Sequence, residues 1–127
     1  MTKYPYVGKK GTCKADGTGA RVQGSTRVGK NSVSAHKSAI ARGVIGVSLD
    51  AGSTIWGSYK KGVINSTGCG TSINHAVAAV GYTSSYYIVK NSWGTNWGES
   101  GFGRIAITGD GPGICGIQQQ SVAPYIL

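Results

Sequence analysis

No apolar run in this chain approaches the roughly 18 residues that a membrane-spanning helix needs. Met1 is not followed by a hydrophobic signal core either. The expectation is a soluble chain with no membrane partner, any targeting segment having been removed or never present. Acidic residues are scarce: 4 Asp and Glu stand against 13 Lys and Arg, a net charge of +9. No zinc-finger spacing, RNA-binding signature or long basic helix accompanies that excess, so nucleic acid is not the expected partner. Three cysteines and two histidines at wide spacing do not make a zinc set; neither a metal nor a cofactor is expected. No internal repeat is visible.

What is plentiful is glycine, 22 residues in 127. That excess points to many turns and closely approached backbone rather than to long helices. The length is that of one domain, enough to bury a core without metals or staples. The basic excess lies in the first third: Lys3, Lys9, Lys10, Lys14, Arg21, Arg27, Lys30, Lys37 and Arg42 face Asp16 alone. Such a stretch can steer acidic partners or polyanions, but reads first as a solvated face. Three cysteines leave one over. Cys69 and Cys115 each adjoin glycine and can join two loops, which would leave Cys13 as a free thiol or bonded outside this chain. Asn65–Ser66–Thr67 is a glycosylation sequon, meaningful in a secreted protein.

Read in order, Tyr4–Pro5–Tyr6–Val7 is the only early apolar cluster and is expected to anchor the N-terminal segment by packing its rings. Residues 20–28 alternate weakly, as an irregular edge strand would. Residues 31–43 are the one good helix: Asn31 or Ser32 can cap it, Arg42 falls in its last turn and Gly43 can end it. Val33, His36 and Ile40 share a face, which makes His36 a structural histidine. Residues 44–50 read as a buried strand, residues 52–59 as a loop, and residues 60–62 as a surface turn before Val63–Ile64. Residues 101–107 read as a strand, residues 114–117 as a last short one, and Tyr125–Ile126–Leu127 as an apolar tail.

Two segments organise the rest. Residues 74–82 and 86–94 are apolar or alternating and are separated by a polar break at residues 83–85. They read as antiparallel strands whose outer ends carry His75 and Asn91, bringing an imidazole beside a carboxamide. Beyond them Trp93 and Trp97 sit four apart in a glycine-punctuated loop. One early helix and five or six strands make a mainly β, antiparallel domain.

Those residues carry a resemblance. Asn74–His75–Ala76–Val77, Gly81–Tyr82, the run from Tyr87 to Glu99, Gly101–Phe102 and Cys115–Gly116–Ile117 resemble the C-terminal half of a papain-family, cathepsin-like cysteine peptidase. Tyr4–Pro5–Tyr6 with Cys13, Leu49–Asp50–Ala51, Tyr59 with Gly62, and Cys69–Gly70 support it. The resemblance implies the barrel-like, β-rich right-hand subdomain of the papain fold over residues 1–127. The helical N-terminal subdomain, with its nucleophilic cysteine and oxyanion glutamine, is then expected to be absent. It implies that His75 is the general base of a Cys–His–Asn site and that Asn91 orients it. Trp93 would cover their contact and Trp97 would line the leaving-group side of the cleft. Ser48, Ile73, Asn74, Ala76 and Gln120 would surround the pocket for the substrate's second residue. That pocket is apolar at Ile73 and Ala76, with no acid to attract arginine. It implies a Cys69–Cys115 disulfide, and a Cys13 whose partner lies in the missing subdomain.

The chain is therefore expected to be a cysteine endopeptidase subdomain acting on peptide or protein, inactive alone, and secreted or lysosomal/vacuolar. Its cleft face around His75, Trp93 and Trp97 is expected to be exposed, ready for a complementary subdomain or for self-association. The alternative is a non-catalytic binding or structural module reusing the fold; nothing in a bare scaffold asks for His75, Asn91, Trp93 and Trp97 together.

Overall fold

Regular structure begins with a strand that has no buried face. In this computed structural model, which describes residues 5–14 and 17–126, β1 (Val22–Arg27) is exposed along its whole length. Backbone pairing with a later strand holds it. Of the anchor expected before it, Tyr6 and Val7 do not pack: they are 91% and 64% exposed. Neither finds an apolar surface to cover; Tyr4 and Leu127 lie outside the described residues.

Helix α1 (Val33–Arg42) follows. Of its two candidate caps Ser32 takes the role, its Oγ accepting from the Ala35 N–H at 3.2 Å, while Asn31 turns the chain with φ 58°. The helix buries His36 and Ile40. β2 (Ile45–Leu49) comes next, then a departure from the expected loop: α2 (Thr54–Gly57) is a single helical turn that buries Trp56 completely. β3 (Val63–Ile64) and a 3-10 turn at Thr67–Cys69 lead to β4 (His75–Tyr82) and β5 (Tyr86–Lys90). β6 (Phe102–Ala106) is the expected strand, but the short strand expected at residues 114–117 is a second 3-10 turn, Ile114–Gly116. Cys115 there has φ 56°, a left-handed conformation that no strand residue adopts. A seventh strand, β7 (Ser121–Ile126), occupies the expected apolar tail.

The strands form one sheet in the order β1-β7-β2-β4-β5-β6-β3. Every pair is antiparallel except β3 with β6. The mainly β, antiparallel, one-helix architecture thus stands. The sheet is open rather than closed into a barrel, with β1 and β3 at its edges. Cys69 and Cys115 form a disulfide that ties the two 3-10 turns together.

Period-two alternation sorts the middle of the sheet into two faces. Ile45, Val47, Leu49, Val77, Ala79 and Ser121 are buried. Their neighbours Gly46, Ser48, Ala76, Gln120 and Val122 lie on the opposite face, open or half open to solvent. The core also takes in Trp56, Tyr87, Val89 and Ile105, each at most 1% exposed.

Candidate active site

The hairpin of β4 and β5 turns through residues 83–85, where Thr83 Oγ1 accepts from the N–H groups of Ser85 and Tyr86, both at 3.1 Å. The antiparallel pairing returns the chain to the level at which β4 begins. His75 opens β4, and Asn91 follows the last residue of β5. Their side chains meet: His75 Nε2 lies 2.8 Å from Asn91 Oδ1. The same oxygen accepts the Ser92 N–H at 2.8 Å, which identifies it as the carbonyl end of the amide. Nε2 must then carry the hydrogen. In the neutral ring Nδ1 is left with the lone pair, free to act as a base.

Aromatic rings surround this contact. The Trp93 ring centroid is 5.0 Å from that of His75, and Trp56 stands edge-on to His75 at 6.1 Å. Trp93 is 46% exposed and Asn91 only 6%. Trp97 is buried, 4.6 Å from Trp56 and 5.1 Å from Tyr59, with its Nε1 donating to the Trp56 carbonyl at 3.0 Å. Of the face expected to lie open, Trp93 does, while Trp97 is packed beneath it. Trp56 belongs to this cluster although the sequence places it in a loop. The one signal for it was an apolar Ile55–Trp56 pair inside an otherwise polar segment.

The loop from Asn91 to Phe102 is fixed at several points. Asn91 N–H donates to Gly101 O at 3.0 Å and Gly98 N–H to Tyr59 O at 3.2 Å. Glu99 grips Arg104 at two points, 2.7 and 2.8 Å. That guanidinium, with smaller help from Gly62 N–H and the Tyr59 hydroxyl, holds the Glu99 carboxyl down to about 2. Asp50 organises the other approach. Its carboxylate accepts from Gly52 and Ser72 N–H, both at 2.9 Å, and these bonds lower its pKa.

Three of the expected pocket residues share one groove. Ser48 pairs with Ala76 across β2 and β4, and Ser48 N–H donates to Gln120 O at 2.9 Å; all three line one groove. Ile73 and Asn74 immediately precede β4 and its first residue, His75. Asn74 braces the backbone, its Oδ1 accepting from Ala51 N–H at 2.8 Å and its Nδ2 donating to Asp50 at 3.3 Å. Ile73 is half-buried near Gly116. Cys13 is exposed and free. Among the described residues no group of His, Cys, Asp and Glu is placed to hold a metal ion, and no helix is long and apolar enough to cross a membrane.

Comparison with known proteins agrees over nearly the whole chain. The family model described as papain family cysteine protease matches residues 1–125. Papaya proteinase 4 of Carica papaya is 38% identical over 130 residues, covering 96% of this chain and 37% of that protein. Stem bromelain of Ananas comosus is 42% identical over 126 residues, covering 97% and 58%. A crystal structure of a Carica candamarcensis cysteine protease in complex with E-64 matches with TM-score 0.90 and 39% identity, over 98% of this chain and 60% of that one. The chain thus spans between about a third and three-fifths of these relatives. With a matching fold, matching sequence and a matched family model, the chain belongs to the papain family of cysteine proteases.

Proposed function

We propose that residues 1–127 are the histidine-bearing C-terminal subdomain of a cysteine endopeptidase, supplying His75 and Asn91 to a Cys–His–Asn site. The observation that carries this reading is the 2.8 Å contact between His75 Nε2 and an Asn91 oxygen held by Ser92. A ring so oriented offers Nδ1 to a thiol. The thiol proton moves to Nδ1 and the thiolate adds to the substrate's carbonyl carbon. The imidazolium then gives its proton to the departing amine, and water hydrolyses the resulting thioester. Trp93 limits water at the His75–Asn91 contact. Trp97 supports Trp93 on the leaving-group side.

The thiol comes from a complementary N-terminal subdomain, and this chain alone is inactive. Two of its cysteines are consumed by the Cys69–Cys115 disulfide. Cys13 precedes β1, at the sheet edge three strands removed from β4. Exposed Trp93 and the expected outside partner of Cys13 mark the joint with that subdomain. Substrate is peptide or protein, with Ser48, Ile73, Asn74, Ala76 and Gln120 around the second-residue pocket. A secreted or lysosomal/vacuolar location fits a disulfide-bonded chain.

The test is a chimera in which the cysteine-bearing half of stem bromelain precedes this chain. It should hydrolyse a small peptidyl amide, lose activity on thiol alkylation and lose it again with His75→Ala. The 127-residue chain alone should be inert. Hydrolysis by the lone chain, or by the His75→Ala chimera, would sink the proposal.

A further inference from the structure

We propose that Arg27 and Lys30 make the groove beside Ser48, Ala76 and Gln120 select a substrate with an acidic side chain. This rests on the reading of those three residues as substrate contacts, and it changes the kind of side chain expected there.

The geometry follows from strand register. Arg27 pairs with Val122, and Val122 pairs with Gly46, so these three form one row across β1, β7 and β2. Two residues along on the same face lies the row of Gln120, Ser48 and Ala76. Alternation puts both rows on the sheet face that does not meet the core. Rows on one face are about 7 Å apart and neighbouring strands about 4.8 Å apart. A fully extended side chain at Arg27 can therefore reach across β7 toward Gly46. Gly46 has no side chain to obstruct it; a Cβ there would meet nothing nearer than the Val122 carbonyl at 3.9 Å. Lys30 enters the same groove, which encloses about 500 Å³.

Among the described residues no acid compensates this charge. None of the groove's lining residues is acidic. Among the described residues Glu99 is engaged with Arg104, Asp50 with the backbone of Gly52 and Ser72, and Asp110 with the Val33 N–H. Arg27 and Lys30 have no carboxylate partner among the described residues. The floor is otherwise short and weakly polar. A glutamate-sized side chain entering past Ala76 meets Ser48 and Gln120 first and two cations at the far end. An apolar side chain of the same length gains nothing from those cations and strips water from them.

The test is peptide binding to the 127-residue chain, followed by amide NMR shifts. The probes are acetyl-Ala-Glu-Ala-amide, its Gln counterpart and its Leu counterpart. The Glu peptide should shift Ser48, Ala76, Gln120 and Val122 with an affinity on the order of fivefold above the other two, as expected for part-exposed ion pairs. High salt should erase that advantage. The Arg27→Gln/Lys30→Gln variant should bind all three alike. Gly46→Val, which keeps both charges but fills the floor, should weaken the Glu peptide. Equal binding of the three peptides, a Glu preference surviving in the double variant, or no shift in the groove would each overturn the proposal. Hydrolysis by the chimera is read separately, so failure here does not decide the role of His75.

Discussion

His36 bridges helix α1 to β7: its Nδ1 lies 2.7 Å from the Ser32 carbonyl and its Nε2 2.9 Å from the Ser121 hydroxyl. Nδ1–H therefore donates along the helix, and the neutral ring accepts from Ser121 on its other side. The residue is 1% exposed and sits one position from Gln120 through that partner. Both ring nitrogens are used in packing the domain. The other histidine, His75, spends Nε2 on Asn91 and, in the proposed role, keeps Nδ1 for the thiol.

Burial lowers the pKa of His36 below its ordinary 6.5, because the imidazolium is poorly solvated there, and only partly offset by the Ser32 carbonyl. A depressed folded-state value means the unfolded chain binds the proton more readily. Stability from this residue is complete above pH 6.5 and is lost as pH falls from there through the lowered value. Urea unfolding from pH 8 to pH 5 should show this decline in the wild type. His36→Ala should unfold more easily by about 2–4 kcal/mol at pH 8 and have a flatter profile. An unchanged pH slope in the variant would refute the assignment.

Asn91→Ala removes the acceptor that fixes His75. In the chimera it should lower kcat/KM by roughly 10²-fold, mostly in kcat, since orientation rather than substrate binding is lost. A rise in KM alone, with kcat intact, would place Asn91 outside the proton transfer.

Glu99 keeps its charge to lower pH than a free glutamate. Its folded value of about 2, set by Arg104, lies below the ordinary 4.5. Its contribution is present above pH 4.5 and fades as pH falls through about 2. Glu99→Gln should melt at a lower temperature than wild type at pH 7, and the gap should narrow steadily below pH 4. A constant gap down to pH 2 would contradict the ion-pair explanation.

Two glycines should answer differently to the same change. Gly98 has φ 57°, and a Cβ would sit 2.6 Å from the Phe102 carbonyl and 2.8 Å from the Tyr59 ring. Gly98→Ala should cost at least about 2–3 kcal/mol and loosen the tryptophan loop. Gly57 closes α2 with nothing near its missing Cβ. Gly57→Ala should be neutral or gain about 0.5 kcal/mol. Chemical denaturation of both variants beside wild type measures the contrast.

Much of the fold was legible where local pattern and tertiary role agree. The hairpin of β4 and β5 joins two apolar or alternating segments across a polar break, and the helix carries its own cap, so both follow from short-range rules. Three segments did not. α2 is one turn long and offers only the adjacent pair Ile55 and Trp56, too little to display a period. Residues 114–117 look strand-like, but the left-handed Cys115 and its bond to Cys69 bend them into a turn. β7 was hidden by Gln118–Gln119–Gln120 and by Pro124. Proline is tolerated because β2 pairs with β7 only at Ser121 and Val122, leaving that side of Pro124 without a partner strand. In the site, His75 and Asn91 are readable from strand ends, whereas Arg27 looks like ordinary surface charge until register puts it on the face that carries Ser48, and Lys30, beyond the strand, is placed only by the groove it lines.

The place of β7 between β1 and β2 also bears on how the domain is assembled. β1 is joined to the sheet only through β7, a segment about a hundred residues further along the chain. During synthesis β1 and β2 emerge early with a gap between them, and nothing can fill it until residues 121–126 have left the ribosome. The sheet must therefore close as a late, long-range step, and until then it presents two unsatisfied strand edges to the cell.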